Sequence, residues 1–96
     1  MKVRYTPRAF ADREAIFDFI EQRNPRAARE VNAHIDKRIA ALGDTVVRHR
    51  VIPNLGVHAL WLGRYPYIVY YRVGPEEIAV VHIRHAARRP WTGEGG

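Results

Sequence analysis

The stretch that decides the fold runs from Arg64 to Trp91 and reads RYPYIVYYRVGPEEIAVVHIRHAARRPW. Two runs rich in Val, Ile and Tyr, Tyr67–Val73 and Ile78–His85, flank the turn-forming residues Gly74–Glu77. Such residues favour strands, and a short connection containing Gly and Pro joins strands into a hairpin. The sequence therefore predicts a β-hairpin that ends in a basic and aromatic segment. This segment contains Arg84, His85, Arg88, Arg89, Pro90 and Trp91.

Two amphipathic helices are predicted upstream of the hairpin. Thr6-Pro7 and Asn24-Pro25 each combine a capping side chain with a proline suited to the first helical position. The first helix is predicted to end near Gln22, and Gly43 is expected to end the second in a left-handed conformation. Two helices joined by so few residues form an antiparallel hairpin. Their apolar stripes are Phe10, Ile16, Phe17 and Ile20, then Ala28, Val31, Ile35, Ile39 and Leu42.

The remaining elements predict an α+β domain of two layers. Val3 and Tyr5 alternate with basic residues as in a short strand, and Val57–Leu62 forms another. The order is then β-α-α-β-β-β: an N-terminal edge strand, an antiparallel helical hairpin and a three-stranded antiparallel meander. The connection before Val57 could hold a further strand at Val46-Val47 or Val51-Ile52. One domain is expected over residues 1–91, followed by a disordered Gly-rich tail, Thr92–Gly96.

Composition narrows the class of protein. The 96 residues include 16 basic and 10 acidic side chains, a formal charge of +6, which favours acidic partners. The excess of Arg over Lys could also reflect a GC-rich genome. With no cysteine, disulfides, thiolate catalysis and thiolate metal sites are excluded. No apolar run suits a transmembrane helix or a signal peptide, so we expect a cytoplasmic protein without membrane contact.

Both strands of the hairpin carry apolar residues on both faces. Strict alternation places Tyr67, Val69, Tyr71 and Val73 on one side of the first strand. In the second strand it places Ile78, Val80, His82 and Arg84 on one side, and Ala79, Val81, Ile83 and His85 on the other. Strands that are apolar on both faces are usually covered twice, yet the chain supplies one helical layer. A partner is therefore expected to cover the second face, unless the tyrosines border water.

Four segments together resemble a known family. They are Val3-x-Tyr5-Thr6-Pro7-x-Ala9, Asn24-Pro25-x-Ala27-Ala28, Tyr65–Val73 and Val81-x-Ile83-x-His85-x-Ala87-Arg88-x-Pro90. In this order they resemble the RelE/ParE superfamily of type II toxins, and most closely its ParE-like branch. The resemblance implies a bacterial toxin, of the kind that stabilises plasmids, neutralised by a cognate antitoxin covering its helical hairpin and sheet. It implies no cofactor, and contact with DNA only through the antitoxin.

The two branches of the superfamily differ in function. RelE-like members cleave mRNA on the ribosome, whereas ParE-like members resemble them in fold and inhibit DNA gyrase. Aligned by eye, the cationic positions of the nucleases fall on Ala59, Trp61 and Ile68, which can neither transfer protons nor stabilise an oxyanion. We therefore expect a gyrase inhibitor with no catalytic residues. The alternatives are a RelE-like ribosome-dependent mRNA endonuclease, in which His85 could take the catalytic role, or a degenerate member that is no longer toxic.

Two binding surfaces are predicted. Arg and Trp are frequent interface anchors, so we expect the C-terminal segment to bind the target through Arg84, His85, Arg88, Arg89 and Trp91. Alternatively, Trp91 folds back onto the core and the arginines only solubilise the tail.

The antitoxin is expected to be acidic or to bind through an amphipathic C-terminal segment. Its predicted contacts are the apolar sheet face and two cations at the start of the second helix, whose charges oppose the helix dipole. These residues are Tyr67, Val69, Tyr71, Val80, Arg23 and Arg26.

The five histidines do not predict a metal site. His82 and His85 lie three apart in a strand, so their side chains are expected on opposite faces. His34 lies beside the apolar stripe of the second helix and is expected to face solvent.

Overall fold

A computed structural model describes residues 1–44, 50–52, 55–87 and 91, without the side chain of Arg50. Its strands form one mixed sheet in the order β1-β5-β4-β3-β2, which confirms the predicted α+β class. No helix in the described ranges is both long enough and apolar enough to span a membrane. The elements are β1 (Lys2–Tyr5), α1 (Pro7–Glu21), α2 (Pro25–Asp44), β2 (Arg50–Ile52), β3 (Val57–Trp61), β4 (Tyr67–Val73) and β5 (Glu77–His85).

Strand β1 is an edge strand, as predicted, and it pairs in parallel with β5. Strands β2 to β5 pair antiparallel in chain order. The short strand β2 at the opposite edge contains Val51-Ile52, one of the two segments considered for an additional strand. The other segment, Val46-Val47, and the predicted tail, Thr92–Gly96, lie outside the described residues.

The helix starts follow from their capping side chains. The Thr6 hydroxyl accepts a hydrogen bond from the Ala9 N–H at 3.2 Å, and Asn24 Oδ1 accepts one from the Ala27 N–H at 3.1 Å. The stripe of α2 is buried along its whole length, as expected. In contrast, α1 keeps large apolar side chains on its outer surface, where Phe10 is 58% and Phe19 is 56% exposed.

Gly43 does not end α2, which corrects the sequence prediction. The helix continues through it to Asp44, and Gly43 is absent from the glycines with positive φ. A Cβ atom at this position would lie 2.6 Å from the Met1 carbonyl oxygen. The Met1 ammonium donates a hydrogen bond to the Gly43 carbonyl at 2.6 Å. The glycine is therefore needed for the close approach of the N-terminus to α2.

The sheet has a helix-covered face and an open face. In the sequence-based prediction, four antitoxin contacts lie on an uncovered face of the sheet: Tyr67, Val69, Tyr71 and Val80. This assignment is wrong, because all four belong to the core between the sheet and the helices. The opposite face carries a second, smaller cluster. Its buried members are Val57, Ala59, Ile68, Tyr70, Val81 and Trp91.

A β-bulge explains why strict alternation failed in β5. Tyr70 pairs with His82 and Tyr71 pairs with Val80, so Val81 is an extra residue in the ladder. Beyond the bulge, the faces of β5 are exchanged. Ile83 joins the core under the helices, whereas Arg84 pairs with Ile68 and lies on the open face.

We predict that Gly43→Ala destabilises the protein. Gly to Ala inside a helix usually stabilises by about 1 kcal/mol, but here the methyl group would overlap the Met1 backbone, with a strain of about 1–3 kcal/mol. Urea unfolding should therefore show a lower free energy of unfolding for the variant. The exposed Ala40→Gly in the same helix controls for helix propensity. An increase in stability for Gly43→Ala would contradict the close approach.

Candidate functional site

One edge of β5 pairs with β4 along nearly its whole length, and the second half of its other edge is bound by α1 rather than by β1. Strand β1 pairs with β5 only as far as Val80. The Thr6 N–H then donates to the Val80 carbonyl at 2.9 Å, and the Thr6 hydroxyl donates to the Val81 carbonyl at 3.3 Å. Six residues further along the chain, in α1, Asp12 Oδ2 accepts the Ile83 N–H at 3.1 Å. These bonds cover part of the strand edge that would otherwise be open to pairing.

Asp12 also fixes His82, the one buried polar residue of the described core. The residue is 4% exposed, and its Nδ1 lies 2.6 Å from Asp12 Oδ2. An ionised carboxylate accepts only, so this contact places a proton on Nδ1. Burial lowers the pKa of His82, although the hydrogen bond to Asp12 opposes that shift. The neutral imidazole is therefore favoured.

Trp91 returns to the open face and covers His82. The centroid of its indole lies 4.9 Å from those of both Tyr70 and His82, and the residue is 7% exposed. This packing contradicts the expectation that Trp91 projects as a free anchor and agrees with the alternative that it folds back. It also supplies part of the second cover that was expected from a partner.

His85 fixes the exit of β5. Its Nδ1 accepts a hydrogen bond from the Ala87 N–H at 3.0 Å, and its ring meets Tyr67 edge to face at 5.4 Å. His82 and His85 lie on opposite faces, as predicted, since their cross-strand partners are Tyr70 and Tyr67. His34 does not simply face solvent, because its Nε2 lies 3.1 Å from the Leu62 carbonyl oxygen.

Ala59, Trp61 and Ile68, the positions aligned with the cations of the nucleases, carry no side chain that transfers protons. Ala59 and Ile68 are buried in the open-face cluster, and Trp61 presents an indole. Within the described ranges, no group of three or more His, Cys, Asp or Glu side chains is placed to hold a metal ion. Proton transfer at this face would therefore need groups other than these three.

A row of three residues crosses the open face beside Trp91. Trp61 pairs with Ile68, and Ile68 pairs with Arg84, so all three side chains leave the same face. Trp61 is 54% exposed. Arg84 is half-buried, and within the described part of the chain its buried Nε has no hydrogen-bond partner. We call these three residues the Trp61 row. The sequence does not predict it, because no local pattern distinguishes an exposed Trp61 from a buried one.

Two grooves flank α1, and the larger one also borders the Trp61 row through Arg84. The larger, of about 610 Å³, lies between α1 and the end of β5 and is lined in part by Phe19, Arg8 and His85. The smaller, of about 380 Å³, lies on the outer side of the helical hairpin and is lined in part by Phe10 and Phe17. Apolar side chains on both sides of a helix are typical of one that is covered further by a partner.

The other predicted site residues are cations. Arg23 and Arg26 are exposed at the start of α2, as needed for contact with a partner. The Arg23 guanidinium lies 4.1 Å from the centroid of the Phe19 ring, and Arg26 forms an ion pair with Glu30 at 3.4 Å. Arg88 and Arg89 lie outside the described residues, so their assignment to the target stays a prediction.

Comparisons with known proteins agree with this geometry. A family model described as the ParE toxin of the type II toxin–antitoxin system parDE matches residues 3–90. A solved structure titled "Chromosomal ParDE TA system from P. aeruginosa" is similar, with a TM-score of 0.79 and 27% identity. The match covers 88% of this chain and 95% of that chain. A sequence search of curated proteins gives no match.

We predict that Trp91→Ala destabilises the fold. Truncating a buried tryptophan typically costs about 3–5 kcal/mol, a large share of the total stability of a small domain. Thermal and urea unfolding should show this loss, and Trp91→Phe should lose less because it keeps an aromatic ring against Tyr70 and His82. An unchanged midpoint for Trp91→Ala would contradict the packing of the indole.

Stability should also depend on the protonation of His82. Its pKa in the folded state lies below the ordinary value of 6.5, so the unfolded chain binds the proton more readily. Stability due to this group is complete above pH 6.5 and is lost as the pH falls below it towards the folded-state pKa. Urea unfolding over this window should show a steeper decline for the wild type than for His82→Gln. Equal slopes would show that the ring is not kept neutral.

Proposed function

The chain belongs to the ParE toxin family of type II toxin–antitoxin systems, and on this premise we propose that it inhibits bacterial growth by binding DNA gyrase. It acts in the cytoplasm as a binding inhibitor rather than as an enzyme, and a cognate antitoxin neutralises it. The observation that carries the proposal is the chemistry of the open sheet face. There the Trp61 row combines an exposed indole with a guanidinium, while Ala59 and Ile68 offer no proton-transfer group.

A nuclease would need a different arrangement. Cleavage of RNA without a metal needs a base near the 2′-hydroxyl and cations at the scissile phosphate. The environment of His85 also argues against its use as the catalytic histidine of a nuclease. Its Nδ1 accepts a hydrogen bond from the Ala87 N–H, and its ring packs against Tyr67 on the helix-covered side of the sheet. A side chain that holds the backbone in this way has a structural role.

The surface of α1 supports an antitoxin partner. Phe10 and Phe19 are both more than half exposed, and each borders a groove along the helix. An amphipathic segment can place apolar side chains into such grooves, as helices do in other peptide complexes. Acidic residues on that segment would meet Arg23 and Arg26 at the nearby start of α2. The proposed antitoxin site is therefore the outer side of the helical hairpin, instead of the sheet residues first expected.

The test is a gyrase supercoiling assay with the purified chain. We expect supercoiling of relaxed plasmid to stop at toxin concentrations comparable to that of the enzyme, and the product of an adjacent acidic reading frame to restore it. In a translating extract, mRNA should remain intact.

Full supercoiling together with codon-specific mRNA cleavage would contradict the proposal and favour the nuclease. In that event, His85→Ala decides whether the histidine is its catalytic group. Neither effect, with normal bacterial growth during expression, would indicate a degenerate member.

A further inference from the structure

We propose that the Trp61 row is the surface with which this toxin holds its target, by receiving an acidic protein segment that also carries an apolar side chain. The proposal rests on the proposed function, because it assumes that the chain inhibits growth by binding a protein. The sequence predicts that the target binds mainly to the segment after β5. In this proposal the main target contacts lie instead on strands β3, β4 and β5.

The geometry of the row suits a compact anchor site. Directly paired residues of adjacent antiparallel strands have Cβ atoms about 4.5–5.5 Å apart, so Trp61, Ile68 and Arg84 form a continuous line. Ile68 is buried between an indole and a guanidinium. Rigid strands hold all three, so little conformational entropy is lost when a partner binds. Trp and Arg are also the residues most enriched among those that dominate binding energy.

Arg84 specifies the charge of the partner. Its Nε is buried and has no hydrogen-bond partner among the described residues, whereas the exposed guanidinium of Arg4 pairs with Glu77 and Arg13 pairs with Asp36. A buried donor without an acceptor is unfavourable, and a carboxylate would satisfy it with a charge-assisted hydrogen bond. The neighbouring Trp61 and Ile68 would then receive an aliphatic or aromatic side chain of the same segment.

A protein fits this site better than a nucleic acid. Nucleic acids are bound through several phosphates at once, which requires a spread of cations. Among the described residues of this face, the row contains a single guanidinium among apolar groups, and the cluster beside it includes Ala59, Tyr70 and Trp91. Such a surface matches one carboxylate with an apolar neighbour.

Trp61 and Ile68 are also separate from the proposed antitoxin site on the outer side of the helical hairpin, whereas Arg84 also lines the larger groove beside α1. The helices pack on one face of the sheet, and the row lies on the other. A segment lying along the outer side of α1 against Phe10 would leave Trp61 open. One chain could therefore present different surfaces to two proteins, and this assigns the row to the target.

The experiment compares Trp61→Ala and Arg84→Gln with two matched variants. Phe10→Ala removes an equally exposed aromatic residue from α1, and Arg29→Gln removes an exposed guanidinium from α2. Each variant is tested for growth inhibition on induction, for inhibition of purified gyrase, for affinity to the antitoxin, and for thermal unfolding.

We expect both row variants to unfold near the wild-type temperature and to bind antitoxin normally. The concentration of each row variant needed for a given inhibition should be higher than that of the wild type by about tenfold or more, as expected when a dominant interface residue is lost. Phe10→Ala should show the reverse pattern, and Arg29→Gln should behave as the wild type.

Four results separate the inference from the proposed function. Row variants that stay as toxic as the wild type would overturn the inference alone, and so would a selective loss of antitoxin binding. If the wild type binds a DNA oligonucleotide and either row variant does not, the partner at the row is a nucleic acid and the inference is overturned. The wild type could also inhibit growth without inhibiting purified gyrase, while the row variants fail to inhibit growth. That result would support the row as the target-binding surface and exclude gyrase as the target.

Discussion

The extra residue Val81 in β5 is the irregularity on which both faces of this protein depend. Because of the bulge, Val80 and Ile83 both point to the helices, although their positions differ by three, an odd number. His82 and Arg84 consequently reach the open face, opposite Tyr70 and Ile68. Without the bulge, alternation would direct these two polar side chains into the core and would expose Ile83. A single inserted residue thus keeps the core apolar and gives the open face its guanidinium.

The second contribution comes from α1, which continues along the strand edge that β1 leaves free. Asp12 links the two elements by accepting from both the Ile83 backbone and the His82 ring. His82 in turn supports Trp91 at 4.9 Å. The start of α1, the end of β5 and the returning tail are therefore connected through one carboxylate and one imidazole. This connection keeps the open face in place beside a helix whose outer surface remains apolar.

Local sequence signals predict most helices and strands of this fold, but they do not predict contacts between residues that are distant in sequence. Capping by Thr6 and Asn24 fixes the helix starts, and the β-formers of Tyr67–Val73 match β4 residue for residue. Alternation could not reveal the bulge, because it assumes that every residue of a strand is paired. Gly43 resembles a helix end in the sequence. The glycine is needed instead for the close approach of Met1, a contact between residues distant in sequence that no local pattern reveals. Likewise, nothing local distinguishes an exposed Trp61 from a buried one.

In this account, the antitoxin and the target bind different sides of the sheet. Fluorine NMR of toxin labelled with fluorinated tryptophan tests this most directly, since the chain contains only Trp61 and Trp91, one exposed and one buried. Trp91→Phe assigns the two resonances. Addition of gyrase should shift the Trp61 resonance, while addition of antitoxin should leave it unchanged. A Trp61 resonance that shifts with antitoxin and not with gyrase would contradict the account.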